Sequence, residues 1–146
     1  MSRQTADGDL LLQDGDYEAA ANILRGAGYR ESHKQDTFAR WSRHDAFWMD
    51  VDFQFVDANT FGKIWDAGTE AKVDGHTLRL PSLEHLIAMK LHALKHSPER
   101  QGKDLLDIMA LAQENHLDMR SEQNRNLCLR FGTEELYRTI TSLLAR

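Results

Sequence analysis

Two pairs of aspartates stand at alternate positions in stretches that favour β-strands. Asp50 and Asp52 lie within residues 47–56, and Asp7 and Asp9 precede an apolar run near the start of the chain. Successive side chains of a strand point to opposite faces, so each pair shares one face. The opposite face of the first stretch is apolar, with Met49, Val51, Phe53 and Phe55. Carboxylates beside such a core are costly unless a positive group or a metal ion meets them, so the pattern indicates chemistry.

A solvated edge strand is the simpler alternative for Asp50 and Asp52. An antiparallel strand with one wet face shows the same alternation without any function. That alternative explains poorly why Asp-x-Asp recurs in two separate strands.

The remaining patterns predict an α+β fold. In the first half we expect a strand at 3–12, a helix from Tyr17 to Gly26, a polar loop at 29–36, and a strand at 37–42 that pairs with 47–56 through a hairpin at 43–45. Residues 57–68 are expected to be irregular or briefly helical. In the second half we expect a strand pair within 71–80 turning at Asp74-Gly75, a helix capped by Ser82 and running to His96, a helix at 102–114, and one or two helices at 121–144.

Length and composition indicate one ordinary globular domain. We expect residues 1–146 to form a single domain, with a sheet-rich part at 1–80 and a helical part at 81–146. The 41% hydrophobic and 28% charged residues exclude disorder, and no apolar run is long enough to span a membrane. A net charge of -5 argues against general coating of nucleic acid. The single Cys128 and an N-terminus without an apolar segment favour the cytoplasm.

Lys90 occupies an unexpected position on the helix after Ser82. It lies near the centre of the apolar stripe formed by Leu83, Leu86, Ile87, Leu91 and Leu94. One interpretation is that its stem is packed while its ammonium group reaches water. The other is that Lys90 meets an anion, either a phosphate or the acidic strand face.

Two further sets of polar residues have a simpler structural interpretation beside a functional one. Lys103, Asp104 and Asp107 share an arc of the next helix, and Lys103 with Asp107 has the spacing of an exposed ion pair. His92 and His96 have the spacing of metal ligands on successive turns. Without the Glu of the zinc-peptidase pattern, surface histidines are the preferred interpretation.

Together these motifs resemble the nucleotidyltransferase superfamily. The resemblance is carried by Arg3-x-Thr5-x-Asp7-x-Asp9 with its apolar run, the acidic strand about 40 residues later, Leu80-Pro81-Ser82 leading to Lys90, and Lys103-Asp104-x-x-Asp107. More narrowly, the sequence is similar to the bacterial nucleotidyltransferases grouped with AbiEii-type toxins. The resemblance covers residues 3–117 and implies a small mixed sheet packed with helices.

The resemblance also implies a site. Asp7 and Asp9 would hold two Mg²⁺ ions on a nucleoside triphosphate, and Asp50 or Asp52 would be the third carboxylate, with Asp52 in the metal set. Mg²⁺ prefers oxygen ligands, and two ions suit an in-line phosphoryl displacement. The residues implied to face the substrate are Arg3, Thr5, Lys90 and Lys103.

The resemblance further implies a Gly-Ser or Gly-Gly turn and a helix ahead of Arg3, which this sequence does not carry. We therefore expect the nucleotide to be held mainly through metal. We also expect a second subunit, in a homo-oligomer or with another protein, to cover the sheet edge that this leaves.

Two functions follow as hypotheses. The first is metal-dependent transfer of a nucleoside monophosphate from a triphosphate to a hydroxyl on RNA, protein or a small molecule. The alternative is a catalytically inactive binding or regulatory module of a toxin and antitoxin pair.

Overall fold

The computed structural model describes residues 7–45, 47–96 and 101–145. Residue contacts divide the chain into two compact units, 1–66 and 67–146, and each has its own core. The prediction of a single domain with its division at residue 80 stays a prediction.

The first unit contains a four-stranded mixed sheet in the order β1-β4-β3-β2. Its strands are β1 (Asp7–Gln13), β2 (Arg30–Lys34), β3 (Phe38–Ser42) and β4 (Asp50–Val56). β1 runs parallel to β4, whereas β3 is antiparallel to both β4 and β2. The predicted pairing of β3 with β4 is confirmed.

One face of this sheet is covered by helix α1 (Tyr17–Gly26), which follows a short 3-10 helix, Asp14–Asp16. Tyr17 and Ala21 are one helical turn apart, so both reach the same core. The Tyr17 ring meets Phe55 edge-on at a centroid distance of 5.0 Å. The buried members of this core are Tyr17, Ala21, Ala39, Trp41, Phe53 and Phe55. Of the predicted apolar face of the 47–56 stretch, Phe53 and Phe55 are buried in this core and Val51 packs against it, whereas Met49 is exposed.

The polar loop expected at 29–36 is wrong, because Arg30–Lys34 forms strand β2. All five residues are exposed, so no alternation of apolar side chains marks the strand. Its strand conformation is held by backbone pairing with β3. The register of this pairing shifts between Glu31 and His33. The Tyr17 hydroxyl also donates to a Glu31 carboxylate oxygen at 2.5 Å. An edge strand held this way leaves little signal in the sequence.

Helix α2 (Ala58–Ala67) follows β4 and is longer than the brief helix expected there. Asp57 precedes it, and an Asp57 carboxylate oxygen accepts the Thr60 backbone N–H at 2.7 Å. This hydrogen bond lowers the pKa of Asp57 below its usual range. The bond satisfies one of the amide groups that every helix start leaves open.

The described residues of the second unit form a hairpin and four helices. Strands β5 (Thr69–Val73) and β6 (His76–Leu80) turn at Asp74 and Gly75, whose φ angles of 50° and 78° fit the predicted turn. The helices are α3 (Leu83–His96), α4 (Gln101–Glu114), α5 (Glu122–Phe131) and α6 (Glu134–Leu144). Within the described residues, no helix is long and apolar enough to cross a membrane.

Side-chain caps fix the starts of α3, α5 and α6. The Ser82 hydroxyl accepts the His85 N–H at 3.2 Å, as the sequence predicts. Ser121 and Thr133 accept from Asn124 and Leu136 in the same way. The helices enclose a second core, whose most completely buried members are Leu91, Ile108, Cys128 and Ile140.

Candidate acidic site on the sheet

The two Asp-x-Asp motifs lie side by side on β1, an outer strand of the described sheet, and its parallel neighbour β4. In the parallel register of β1 and β4, Asp7 is the partner of Asp50 and Asp9 is the partner of Asp52. Register partners point to the same face, so four aspartate positions form a two-by-two array. For Asp7 only the backbone position is described.

The array lies on the face opposite the α1 core. Leu10 pairs with Phe53 and Leu12 with Phe55, and both phenylalanines are buried in that core. Asp9 is exposed, Asp50 is half-buried, and Asp52 is only 1% exposed. The array therefore runs from an open position on β1 to an enclosed one on β4.

Arg40 provides the positive group that a buried carboxylate requires. It is the register partner of Asp52 on β3. The Arg40 Nε–H donates to Asp52 Oδ1 at 2.7 Å, and its Nη2–H donates to Asp52 Oδ2 at 2.8 Å. Parallel bonds of this kind are the strongest geometry available to a guanidinium and a carboxylate.

Arg40 is not among the site residues that the sequence predicts, although the sequence carries a signal for it. Arg40 lies between Ala39 and Trp41, whose side chains are buried on the core face. The alternation of β3 therefore sends Arg40 to the same face as the aspartates of its neighbour β4. A cation at an inner position of a strand next to an acidic strand is the pattern that could have identified it.

The carboxylate oxygens of the array are of a type that can bind Mg²⁺, but those of Asp52 already accept hydrogen bonds from Arg40. An ionised carboxylate has about four lone-pair positions, and the two bonds from Arg40 use one on each Asp52 oxygen. The remaining positions of Asp52 and the oxygens of Asp9 and Asp50 are of the type that Mg²⁺ prefers. No group of three or more metal-ligating side chains occurs within the part of the chain that the structure describes.

Lys90 lies in the second unit and has two carboxylate neighbours there. Its ammonium nitrogen is 3.2 Å from Asp104 Oδ1 and 3.0 Å from Asp107 Oδ2, both on α4. Because its ammonium group is paired rather than reaching water, snorkelling does not describe it. Its anionic partners belong to the neighbouring helix, an arrangement that the sequence interpretation did not include.

Asp104 is buried, although it shares the arc of α4 on which the sequence indicates an exposed ion pair between Lys103 and Asp107. The Asp104 side chain is 1% exposed and lies one turn from the buried Ile108. The Lys-Asp-x-x-Asp motif places Asp104 and Asp107 three residues apart, so both reach Lys90 on α3. Lys103 is half-buried on the same helix.

The histidines of α3 are arranged as surface groups. The rings of His92 and His96 approach to a centroid distance of 4.3 Å, and both residues are exposed. His85 lies within 3.1 Å of the Ser82 hydroxyl through Nδ1. Partial burial and, to a smaller extent, repulsion from His96 and Lys95 lower the pKa of His92.

Arg3 and Thr5, which the sequence analysis places at the substrate, lie outside the described residues.

Comparison with known families matches the whole chain, residues 1–146, to the family described as "Uncharacterised nucleotidyltransferase". The chain belongs to this nucleotidyltransferase family. The predicted membership of the superfamily is thereby confirmed, whereas the narrower AbiEii link stays a prediction. The comparison with curated proteins gives no match.

Two solved structures are similar to this family member. One is the lincosamide antibiotic adenylyltransferase LnuA with lincomycin bound, at 11% identity and a TM-score of 0.45, covering 96% of this chain and 77% of that chain. The other is an antigenic nucleotidyltransferase-like protein from Paracoccidioides brasiliensis, at 15% identity and a TM-score of 0.49, covering 97% of this chain and 73% of that chain.

Proposed function

We propose that this protein transfers a nucleoside monophosphate from a nucleoside triphosphate to a hydroxyl acceptor in a metal-dependent reaction. The supporting observation is the register that sets Asp7 beside Asp50 and Asp9 beside Asp52 on one face of the sheet. Two acidic strands aligned in this way concentrate oxygen ligands where a triphosphate and its cations would bind. The acceptor belongs to RNA, a protein or a small molecule.

The proposed ligands of the metal are Asp7, Asp9 and Asp52. Mg²⁺ bound there would stabilise the attacking and leaving oxygens of the displacement. A carboxylate oxygen of Asp50 or Asp52 would accept the proton of the acceptor hydroxyl. Arg40 would hold the plane of the Asp52 carboxylate through its two hydrogen bonds.

The other substrate-facing residues of the proposal are Arg3, Thr5 and Lys103. Arg3 and Thr5 precede Asp7 at alternate positions and would line the same face if β1 continued through them. For Lys90 we propose a structural role, because reaching a phosphate would require it to leave Asp104 and Asp107. Departure would take the ammonium group away from the buried carboxylate of Asp104, which is costly.

Calorimetry with each nucleoside triphosphate, with and without Mg²⁺, tests the acidic site. We expect Mg²⁺-dependent binding that is lost in an Asp7→Asn, Asp9→Asn variant. A Lys90→Arg variant is a charge-preserving control in the second unit and should bind as the wild type does. Nucleotide binding that is unaffected by the double substitution would overturn the assignment.

A catalytically inactive binding or regulatory module, as in a toxin and antitoxin pair, is the second candidate. The pairing of both Asp52 oxygens with Arg40 favours it, because a fixed guanidinium competes with a metal ion for the same carboxylate. Incorporation of labelled nucleotide into any acceptor in the presence of Mg²⁺ would exclude this candidate. Binding without incorporation across RNA, protein and small-molecule acceptors would support it.

We also propose that a second subunit covers the edge at β1. Among the described strands, β1 is an outer strand of the sheet. An outer strand presents unpaired backbone groups that favour association with another chain. Light scattering at micromolar concentration should show a dimer or larger assembly, and a monomer would contradict this.

A further inference from the structure

The row of register partners that contains Asp9 and Asp52 continues across the whole sheet. Asp9 pairs with Asp52, and Asp52 pairs with Arg40. Arg40 in turn pairs with His33 on the edge strand β2. Register partners point to the same face, so His33 lies on the face that carries the aspartates, opposite the α1 core.

A bulge in β2 brings His33 to this face. Glu31 pairs with Trp41 and His33 pairs with Arg40, so Ser32 is one extra residue of β2 between them. Without the extra residue, the register would turn His33 toward the α1 core. The Ser32 hydroxyl donates to the Arg40 carbonyl oxygen at 3.2 Å, which helps to hold the bulge. Bulges often re-aim a side chain in this way beside a functional site.

Phe38 forms an aromatic pair with His33. Ala39 is buried in the α1 core, so the alternation of β3 directs Phe38 and Arg40 to the opposite face, where the aspartates lie. The rings of His33 and Phe38 are 6.1 Å apart between centroids and tilted by 48°. His33 is exposed and Phe38 is half-buried. We call His33 and Phe38 the aromatic pair.

In the proposed reaction, the aromatic pair lies on the side from which the acceptor would approach. The attacking and leaving oxygens of a phosphoryl transfer are in line, on opposite sides of the phosphorus. Asp7 and Asp9 would hold the triphosphate on β1, so pyrophosphate would leave on that side. The proton acceptor, Asp50 or Asp52, lies on β4, and β3 and β2 follow beyond it.

We propose that the aromatic pair binds a nucleotide as the acceptor of the reaction. This inference rests on the proposed function and names its acceptor class. Bases stack on the flat rings of aromatic side chains, histidine included. Phe38 and Asp52 are diagonal neighbours on β3 and β4, about 7–8 Å apart. One nucleoside spans such a distance from its base to a ribose hydroxyl.

The transfer step then takes place at the ribose hydroxyl. Its oxygen forms a bond to the α-phosphorus of the triphosphate, while the bond from that phosphorus to the leaving pyrophosphate oxygen breaks. The hydroxyl proton passes to the carboxylate of Asp50 or Asp52. The products are pyrophosphate and a nucleotide that carries the transferred monophosphate.

The charges on this half of the face suit a phosphorylated acceptor. Arg30 pairs with Ser42, which lies two residues beyond Arg40 on β3, so Arg30 shares the face of the aromatic pair. Arg30 is exposed. The Glu31 carboxylate points to the opposite face, where it accepts from the Tyr17 hydroxyl. A guanidinium beside the stacking site favours a nucleotide, whose phosphate it can bind, over a hydroxyl-bearing side chain of a protein.

Adenosine 5′-monophosphate (AMP), titrated by calorimetry without Mg²⁺, measures the acceptor site separately from the metal-dependent triphosphate site. We expect a His33→Ala, Phe38→Leu variant to bind AMP roughly 5- to 150-fold more weakly than the wild type, the range that base stacking supplies. His33→Tyr, which keeps a ring, should retain most of the affinity. The Asp7→Asn, Asp9→Asn variant should bind AMP as the wild type does.

Trp48 supplies a matched control on the α1 face. Its ring is half-exposed and lies 4.7 Å from the Arg43 guanidinium, which is also 5.8 Å from the ring of Tyr29, a residue packed against the α1 core. Trp48→Leu should leave the affinity for AMP unchanged. If the double variant does not fold, His33→Ala alone replaces it, because His33 is exposed.

Labelled ATP and Mg²⁺ then identify the source of the accepting nucleotide. Label on AMP would support a free mononucleotide, and label on an RNA hexamer with a free 3′ hydroxyl would support an RNA end. Label on a peptide containing serine and tyrosine, but on neither nucleotide, would overturn the inference.

The binding outcomes separate this inference from the proposed function. If AMP does not bind the wild type, or if the double variant binds it equally well, the aromatic pair only stabilises the hairpin and the inference is wrong. Mg²⁺-dependent triphosphate binding at the aspartates would still support the proposed function in that case. If triphosphates do not bind with Mg²⁺, the proposed function fails and the acceptor assignment fails with it.

Discussion

Arg40 and Asp52 face each other across β3 and β4 and are joined by two hydrogen bonds of 2.7 and 2.8 Å. The Asp52 side chain is 1% exposed, whereas that of Arg40 is 38% exposed. The carboxylate is thus enclosed by the sheet, and the guanidinium reaches toward the surface. If a metal ion binds Asp52 as proposed, this pair would couple the stability of the sheet to the occupancy of that site.

Replacing Arg40 by Gln should destabilise the protein by about 3–5 kcal/mol in the absence of divalent ions, because it leaves a buried carboxylate without its counter-charge. Urea unfolding measures this loss. Arg138→Gln removes an exposed partner of Glu134 and should cost under about 1 kcal/mol. A similar small loss for Arg40→Gln would show that the Asp52 pair contributes little.

The same variant should respond more strongly to Mg²⁺. Without the guanidinium, the Asp52 oxygens are open to a competing cation, and ligand binding to the folded state raises its stability. We therefore expect millimolar Mg²⁺ to raise the melting temperature of Arg40→Gln more than that of the wild type. Equal shifts in the two proteins would show that Arg40 does not compete with metal at this carboxylate.

Lys90→Met should destabilise the second unit by about 3–5 kcal/mol, since Asp104 remains buried without the ammonium group. Combining it with Asp104→Leu and Asp107→Leu should cost less than the three single changes together, because no buried charge then remains. Circular dichroism at increasing urea concentration measures each variant. Additive losses would mean that the three residues do not act as one cluster.

His92 should make stability fall as the pH is lowered from neutrality. Its folded pKa lies below the unfolded value near 6.5, so between the two values the unfolded chain binds more protons. The contribution of neutral His92 is full above pH about 6.5 and is lost as the pH falls through the folded pKa. In a His92→Gln variant, the urea midpoint should depend less steeply on pH in this window. An unchanged slope would assign the pH dependence to other groups.

Cys128 should resist alkylation in the native protein. Its side chain is completely buried in the helical core, and burial raises the pKa of its thiol to about 11. The reactive thiolate is therefore scarce at pH 8. Iodoacetamide should label the urea-unfolded chain at one site per molecule and the native chain far more slowly. Rapid labelling of the native protein would show that the core opens readily.

Local patterns in the sequence determined most of the helices and strands and the acidic face of the candidate site. Alternation identified the acidic and apolar faces of β4. The turn at Asp74-Gly75 and the cap at Ser82 marked the hairpin and helix α3, because these signals depend on neighbouring residues alone. The sequence also identified the acidic face, since two aspartates at alternate positions share a face in any strand.

Only the tertiary structure decided which residues meet across elements. Edge strand β2 has no apolar alternation and exists through its pairing with β3. Arg40 meets Asp52 because β3 and β4 adopt one register, and Lys90 meets Asp104 because α3 packs beside α4. Register and helix packing depend on contacts between residues distant in the chain, which no local pattern specifies.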